Sequence, residues 1–200
     1  MSMRAATTVA LGAICSTNAL AGIVTPEQSL VEVLPGSQVS VLWLVQDITT
    51  PLFGYSLEIT PAAEARSSNL GSVGVDLDAT NFFPGRNLIL AGGGTLDPSF
   101  SVIQDNGSGG VFISTNTADL SPILAAAGVN DVLAEVVFTA GADALGDFVF
   151  EVGPATALSD TGGFPVDYVS ETLTIRVIPA PMSAGVLGIA ALAATRRRRS

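Results

Sequence analysis

The chain of 200 residues carries 18 acidic residues and eight arginines, a net charge of −10, with no lysine and no histidine. The absence of histidine excludes a Ser-His-Asp triad and removes the commonest zinc ligand. The absence of lysine excludes a phosphate-binding P-loop. All 18 acidic residues lie between Glu27 and Glu171. A domain of this charge repels nucleic acid and anionic lipid surfaces, so neither is expected as a partner of the domain.

Residues 1–21 have the pattern of a secretory signal peptide. An arginine near the N-terminus precedes an apolar stretch, and Ala19 and Ala21 occupy the two small positions after which signal peptidase cuts. Cleavage after Ala21 is therefore expected, with a buried first helix as the alternative. Because the single cysteine, Cys15, lies in this segment, the exported part has no thiol for a disulfide, for catalysis or for a metal site.

Between residues 22 and 177 the apolar residues recur with period two, which is the pattern of half-buried strands. In "FGYSLEIT", one face carries Phe53, Tyr55, Leu57 and Ile59. The same alternation predicts long strands at 38–46, 132–139, 147–152 and 172–177, and shorter strands at 29–34, 72–77, 87–91 and 110–114. Because the segment 38–46 is apolar on both faces, we expect it to be a central strand covered by a loop or a partner.

Turns rich in Gly, Pro, Asn and Asp separate these strands. One helix is predicted over 121–128, where Ser121 caps, Pro122 occupies the first turn and Gly128 ends it. Eight or nine short strands at this spacing predict an all-β fold, a single two-sheet antiparallel β-sandwich of jelly-roll type over residues 22–177. An N-terminal signal helix and a short hydrophobic C-terminal helix are expected to flank it.

Two stretches of this region resemble cohesin-type modules. "VEVLPGSQVSVLWLVQDITTPLFGYSLEI" (31–59) is similar to their opening, with a Pro-Gly turn, a long strand and an alternating strand carrying aromatic residues. "DVLAEVVFTAGADALGDFVFEV" (131–152) is similar to their later pair of hydrophobic strands. The resemblance implies the sandwich fold that cohesins share with carbohydrate-binding modules, and fold alone does not assign a function.

Trp43 and two glycine-rich stretches were weighed as binding sites. An exposed tryptophan stacks on sugar rings, but Trp43 is in phase with Val39, Val41 and Val45, which favours a place in the core. "AGGGT" (91–95) and "GSGG" (107–110) resemble phosphate-binding loops only in glycine content, so hairpin turns are predicted there.

The acidic residues offer two further candidate sites. Carboxylate oxygens could hold Ca²⁺. Asp76 and Asp78 lie on the same face of a predicted strand, with Asp97 and Asp105 in nearby loops, but their spacing matches no EF-hand loop. Hydrolysis of a glycosidic bond needs two converging carboxylates. Glu58 and Glu135 both lie on predicted outward faces, which does not bring them together. No catalytic residue, metal site or cofactor is therefore predicted.

The chain ends in a proline pair, an apolar run and a basic cluster. Residues 182–195 are 14 uncharged positions, which as a helix span about 21 Å, less than a hydrocarbon core of roughly 30 Å. A basic cluster stays on the cytoplasmic side of a membrane, and here it consists of Arg196, Arg197, Arg198 and Arg199. We therefore expect a weak transmembrane helix in the inner membrane with the acidic domain outside. A simple tail anchor and a core helix are the alternatives.

This order of elements resembles the PEP-CTERM sorting signal, which exosortase enzymes recognise in the membranes of Gram-negative, polysaccharide-producing bacteria. The resemblance covers residues 178–200. Pro179 and Pro181 match the two prolines, and Ala180 stands where the family has glutamate. The resemblance implies cleavage near these prolines and delivery of the domain to the cell envelope or extracellular matrix.

The sequence thus predicts an exported, non-enzymatic cell-surface or extracellular-matrix protein that passes transiently through the inner membrane. Signal peptidase and an exosortase are its expected processing partners. The alternative function is a carbohydrate- or protein-binding module of cohesin-like fold, with extracellular polysaccharide as one candidate ligand.

Overall fold

The computed structural model describes residues 22–62 and 69–179. The predicted signal-peptidase positions Ala19 and Ala21 lie outside the described residues, as do Pro181, Arg196, Arg197, Arg198 and Arg199. The strands of the described part are β1 (Gly22–Pro26), β2 (Leu30–Val33), β3 (Gln38–Gln46), β4 (Leu52–Pro61), β5 (Val73–Asn81), β6 (Val102–Asp105), β7 (Val111–Asn116), β8 (Val132–Ala140), β9 (Gly146–Val152), β10 (Ala157–Asp160), β11 (Tyr168–Ser170) and β12 (Leu173–Val177).

These strands form two sheets, which confirms the predicted two-sheet β-sandwich. The first sheet has the order β11-β1-β3-β8-β5, and the second has the order β2-β12-β9-β4-β7-β6, with β10 also paired to β4. Most neighbours are antiparallel, but β1 pairs with β11 and β2 pairs with β12 in parallel. The chain therefore passes between the two sheets many times. The short strands β1, β6, β10 and β11 were not among the predicted ones, and they raise the number of strands above the eight or nine expected.

The core lies between the sheets and follows the predicted alternation. Trp43 on β3 is fully buried, and so are alternate residues of β8 and β12. Phe138 on β8 and Phe150 on β9 meet across the interface, with ring centroids 4.6 Å apart and planes tilted by 55°. Because aromatic pairs favour tilted arrangements at this separation, the contact stabilises the packing of the two sheets.

The predicted helix over 121–128 is wrong. Ile123 forms an antiparallel bridge with Leu52, with both N–H···O distances at 2.7–2.8 Å, so the backbone there is extended. The side chain of Ser121 donates to Asp119 instead of capping a helix. Ile123 is buried by this pairing, and tertiary burial overrides a weak local helix signal.

The predicted strand over 87–91 is also wrong, because Asn87 organises this stretch as a turn. Its Oδ1 accepts the backbone N–H groups of Ile89 at 3.0 Å and Leu90 at 3.3 Å, and the Ala91 N–H bonds back to the Asn87 carbonyl. A side-chain acceptor of this kind competes directly with a strand ladder.

Asn87 also joins the two sheets through a buried hydrogen-bond network. Its Nδ2 donates to the Tyr55 hydroxyl at 2.9 Å and to the Leu133 carbonyl at 3.2 Å, and the Tyr55 hydroxyl donates to the same carbonyl. Tyr55 belongs to β4 and Leu133 to β8, so the network spans both layers. Burial raises the pKa of Tyr55 above its ordinary value, although the Asn87 bond lowers it, and the hydroxyl therefore stays protonated as a donor.

Substitutions of Asn87 and of Tyr55 should lower the unfolding free energy by different amounts. Asn87→Ala removes a partner from the Ile89 and Leu90 N–H groups and from Tyr55, and we expect a loss of about 2 to 4 kcal/mol of unfolding free energy. Tyr55→Phe should cost only about 1 kcal/mol, because Asn87 still satisfies the Leu133 carbonyl. Urea unfolding of both variants measures this order, and an equal or reversed order would contradict the assigned network.

Candidate functional site

Trp43, the residue weighed for sugar stacking, lies in the core. Its side chain is 0% exposed, and the indole Nε1 has no hydrogen-bond partner among the described residues. The core placement predicted from its phase with neighbouring valines is confirmed. A surface stacking role for this residue is excluded by its burial.

The structure does not bring the two candidate carboxylates together. Glu58 lies on β4 of the second sheet and Glu135 on β8 of the first, and both point outward on opposite sides of the sandwich. The Glu58 carboxylate accepts the Ala155 N–H at 2.9 Å, and Glu135 accepts the Asn81 side-chain amide at 2.8 Å. Both carboxylates therefore stabilise neighbouring backbone or side chains rather than forming an acid–base pair.

Three of the four aspartates that the sequence offers for calcium accept hydrogen bonds within the described part of the chain. Asp97 accepts the Ser99 N–H at 2.8 Å, Asp105 accepts the Gly107 N–H at 2.7 Å, and Asp76 accepts the Gln38 amide at 2.8 Å. Within residues 22–62 and 69–179, no three Asp, Glu, His or Cys side chains are grouped so that they could hold a metal ion. The Asp97 and Asp105 carboxylates thus stabilise turns.

Arg86 forms the more buried of two ion-pair clusters. Its guanidinium contacts Asp131 with Nη2–Oδ1 and Nε–Oδ1 distances of 2.9 and 3.2 Å, and Glu27 with an Nη1–Oε1 distance of 3.1 Å. The Asp131 side chain is only 3% exposed and also accepts the Gly128 N–H at 2.6 Å. The hydrogen bonds to Asp131 raise the pKa of Arg86 further.

Arg176 on β12 forms the second cluster, on the outer face of the second sheet. Its Nε and Nη2 bond to the two Asp147 oxygens at 2.8 and 3.0 Å, and its Nη1 lies 3.8 Å from Glu32. These three side chains are all roughly half exposed. Both arginines that the structure describes are therefore paired with acids, and the other carboxylates dominate the charge of the domain surface.

A shallow hollow of about 180 Å³ lies on the outer face of the second sheet, and we refer to it as the β4–β7 hollow. Its floor is built from small residues that face each other across three paired strands, with Ser56 of β4 opposite Ser114 of β7 and Ala157 of β10. Other floor and wall positions are Phe53, Gly54, Tyr55, Phe100, Thr115, Asn116 and Ser159.

The rim of the β4–β7 hollow is apolar. Phe100, from the connection between β5 and β6, is 62% exposed, and Phe53 is half-buried. At Gly54 an added Cβ would lie 2.8 Å from the Cβ of Asn116, so glycine is required for this close strand contact. Sequence reasoning missed this site, because its residues come from segments that only the folded topology places side by side.

Asn116 adds an unsatisfied polar group at the hollow. Its Oδ1 is buried and accepts no hydrogen bond from the described residues. A buried acceptor without a partner costs free energy.

A larger cavity of about 410 Å³ lies between β4, β5 and β9. Its described lining is mostly apolar, with Val73, Phe148 and Phe150 as the largest side chains and Asn69, Ser72 and Ser108 as the polar ones. No ionisable side chain is among these described lining residues.

Among the residues that the structure describes, no segment forms a helix with the length and apolarity needed to cross a membrane. The predicted short hydrophobic helix over 182–195 lies outside this part of the chain. Pro179 is the one proline of the predicted sorting signal that the structure describes, and it is exposed directly after β12.

Solved cohesin structures share the fold of this chain. The sixth cohesin of Acetivibrio cellulolyticus scaffoldin B, in complex with a dockerin, has 14% identity and a TM-score of 0.54, over 79% of this chain and 99% of that one. The third ScaB cohesin of R. flavefaciens, also in complex with a dockerin, has 14% identity and a TM-score of 0.53, over 82% and 99%. The cohesin CaCohA2 of Clostridium acetobutylicum has 18% identity and a TM-score of 0.51, over 78% and 90%.

No protein-family model matches the sequence, and comparison with curated proteins finds no match. At identities of 14 to 18%, the structural likeness establishes the fold, and the predicted cohesin-like β-sandwich is confirmed.

The two ion-pair clusters should contribute differently to stability. Arg86→Gln leaves the buried Asp131 carboxylate without its cation, and we expect a loss of about 2 to 3 kcal/mol. The matched variant Arg176→Gln should cause a much smaller loss, because its carboxylate partners stay solvated. Thermal and urea unfolding measure both, and equal losses would contradict the assignment of Arg86–Asp131 as the buried pair.

Proposed function

We propose that the chain is an exported, non-catalytic protein-binding module that reaches the cell envelope through its C-terminal sorting signal. The observation that carries the binding role is the β4–β7 hollow, where exposed Phe100 borders a floor of small side chains. Two of the solved cohesins with this fold are in complex with dockerins, which supports a protein as the partner.

The size of the hollow favours a protein partner over a small ligand. Small-molecule sites are clefts of roughly 300 to 1,000 Å³ that enclose most of the ligand, whereas this hollow is shallow and about 180 Å³. It has room for a side chain of a partner that lies across the flat sheet face. Phe100 and Phe53 then provide the apolar contact, since aromatic residues are enriched among the side chains that dominate binding energy.

The charge of the domain favours a partner with basic groups. Residues 22–178 hold three arginines against all 18 acidic residues, a net charge of −15, and the two described arginines are already paired. A basic partner would be steered toward this surface at low ionic strength. Affinity would then depend mainly on the apolar contact at the hollow. Added salt should therefore lower the association rate more than it raises the dissociation rate.

The proposed route of export follows from the two ends of the sequence. The signal peptide directs secretion and is removed after Ala21, and the apolar run 182–195 then stays in the inner membrane with its arginines inside. An exosortase cuts near Pro179 and Pro181 and passes the sandwich to the envelope or matrix. The twelve described strands that pair into two sheets support a folded unit between these two sites.

Removal of residues 182–200 should change the location of the protein without affecting its fold. In a Gram-negative host that contains an exosortase, we expect loss of surface delivery in cell fractionation, with an unchanged circular dichroism spectrum. Replacement of the four terminal arginines by lysine is the control, because it keeps the positive charge. Unchanged surface delivery after the deletion would refute the proposed route.

Substitution at the rim of the hollow should weaken partner binding. Phe100→Ala is expected to reduce affinity by about tenfold or more, which corresponds to about 1.4 kcal/mol. Phe164→Ala is the matched control, because Phe164 is 68% exposed in the turn after β10 and does not line the hollow.

The measurement compares cross-linked capture of envelope proteins by wild type and both variants, followed by titration of the captured protein. A glycan array on the same samples tests the alternative polysaccharide ligand. Equal binding by Phe100→Ala and wild type would exclude the hollow as the site, and glycan binding that requires Phe100 would replace the protein partner with a polysaccharide.

A further inference from the structure

The direction of the terminal strands determines where the domain is joined to its C-terminal segment. β1 starts beside the end of β3, where Ile23 pairs with Gln46, whereas β12 ends beside Val33, just before the turn that leads into the start of β3. The start of β1 and the end of β12 therefore lie at opposite ends of the sandwich. At the end of β12, the Ile178 N–H bonds to the Val33 carbonyl at 3.0 Å. Pro179 follows directly, so no spacer separates the ladder from the first proline of the sorting signal.

Side-chain contacts also hold the end of β12 to its two neighbouring strands. Arg176 reaches across to Asp147 on β9 through two hydrogen bonds of 2.8 and 3.0 Å, and on the other side its Nη1 lies 3.8 Å from Glu32 on β2. The three residues are register partners in the ladders, Glu32 beside Arg176 and Arg176 beside Asp147. We refer to Glu32, Asp147 and Arg176 as the β12 clasp.

Proteolysis requires backbone that is free of ladder hydrogen bonds, and its rate follows the population of the locally open state when opening is fast. Pro179 lies one residue beyond the last β12 hydrogen bond and three residues beyond Arg176. A protease that binds the chain around Pro179 must therefore detach Ile178 from Val33, and the clasp opposes this detachment.

We propose that the β12 clasp regulates the C-terminal processing of this protein, by setting how often the end of β12 opens to the processing enzyme. The inference rests on the proposed exosortase route and adds a control element inside the folded domain. The clasp keeps the processed end paired after cleavage, and before cleavage it slows release from the membrane.

The charges of the clasp are present at neutral pH. The hydrogen bonds from Arg176 lower the pKa of Asp147 below its ordinary value, and those from Asp147 raise the pKa of Arg176. Glu32 on β2 is the other charged group that faces the guanidinium. A carboxylate with a lowered pKa stabilises the folded state at any pH above its unfolded pKa. This stabilisation is lost only as the pH falls through the folded pKa. The clasp should therefore be closed at neutral pH.

The test uses the full chain in an exosortase-containing Gram-negative host, with pulse-chase labelling to measure the half-life of the unprocessed form. Arg176→Gln and Asp147→Asn should each shorten this half-life by about two- to fivefold, the range expected when an exposed ion pair is lost. A Gly-Ser-Gly-Ser insertion between Ile178 and Pro179 should speed processing and remove the difference between wild type and Arg176→Gln, because the enzyme then no longer needs β12 to open.

Arg86→Gln is the matched control, since it removes a different arginine pair and should destabilise the domain more without touching β12. Equal half-lives for wild type and Arg176→Gln would overturn the clasp. The same holds if Arg86→Gln accelerates processing as much, because processing would then follow global stability. If neither wild type nor any variant yields a processed form, the proposed route itself fails and the clasp fails with it, an outcome distinguishable from a processed wild type with equal half-lives.

Discussion

The rest of the structure depends on the pairing of the first strands with the last ones. β1 and β2 lie beside β11 and β12 in parallel, one pair in each sheet, so neither sheet is complete until residues more than 140 positions apart have met, as Thr25 and Glu171 do through their side chains. Forming such contacts costs the conformational entropy of closing a loop almost as long as the whole domain. Once formed, they hold both ends of the domain in the sheets.

Each sheet of the sandwich has an inner face and an outer face, and the two faces have different roles. Inside, alternate residues of each strand meet in an apolar core, and the Asn87 network supplies the polar link between the layers. Outside, the same alternation leaves small residues on three adjacent strands of the second sheet, where Phe100 closes the edge of the β4–β7 hollow. One period-two pattern therefore builds both the core and the proposed binding surface, and substitutions that change one face need not disturb the other.

Period-two alternation was sufficient to predict the long strands and the core position of Trp43, because a strand with one buried face must repeat every second residue. It failed where a contact distant in sequence decides the local structure. Ile123 is extended only because Leu52 pairs with it, and Asn87 bends its segment while bonding across the sheets. The hollow was missed for the same reason, since only the order of the strands in the sheet brings Phe100 and Ser159 together. The parallel pairing of β1 with β11 and of β2 with β12 also has no local sequence signal.

The central claim is that the folded sandwich is exported and that its two ends coincide with its processing sites. Intact-mass spectrometry of the polypeptide recovered from the surface or medium of an exosortase-containing Gram-negative host tests this most directly. The expected mass corresponds to a chain that begins at Gly22 and ends between Ile178 and Pro181. A recovered chain that still contains Met1 or extends to Ser200 would contradict the claim.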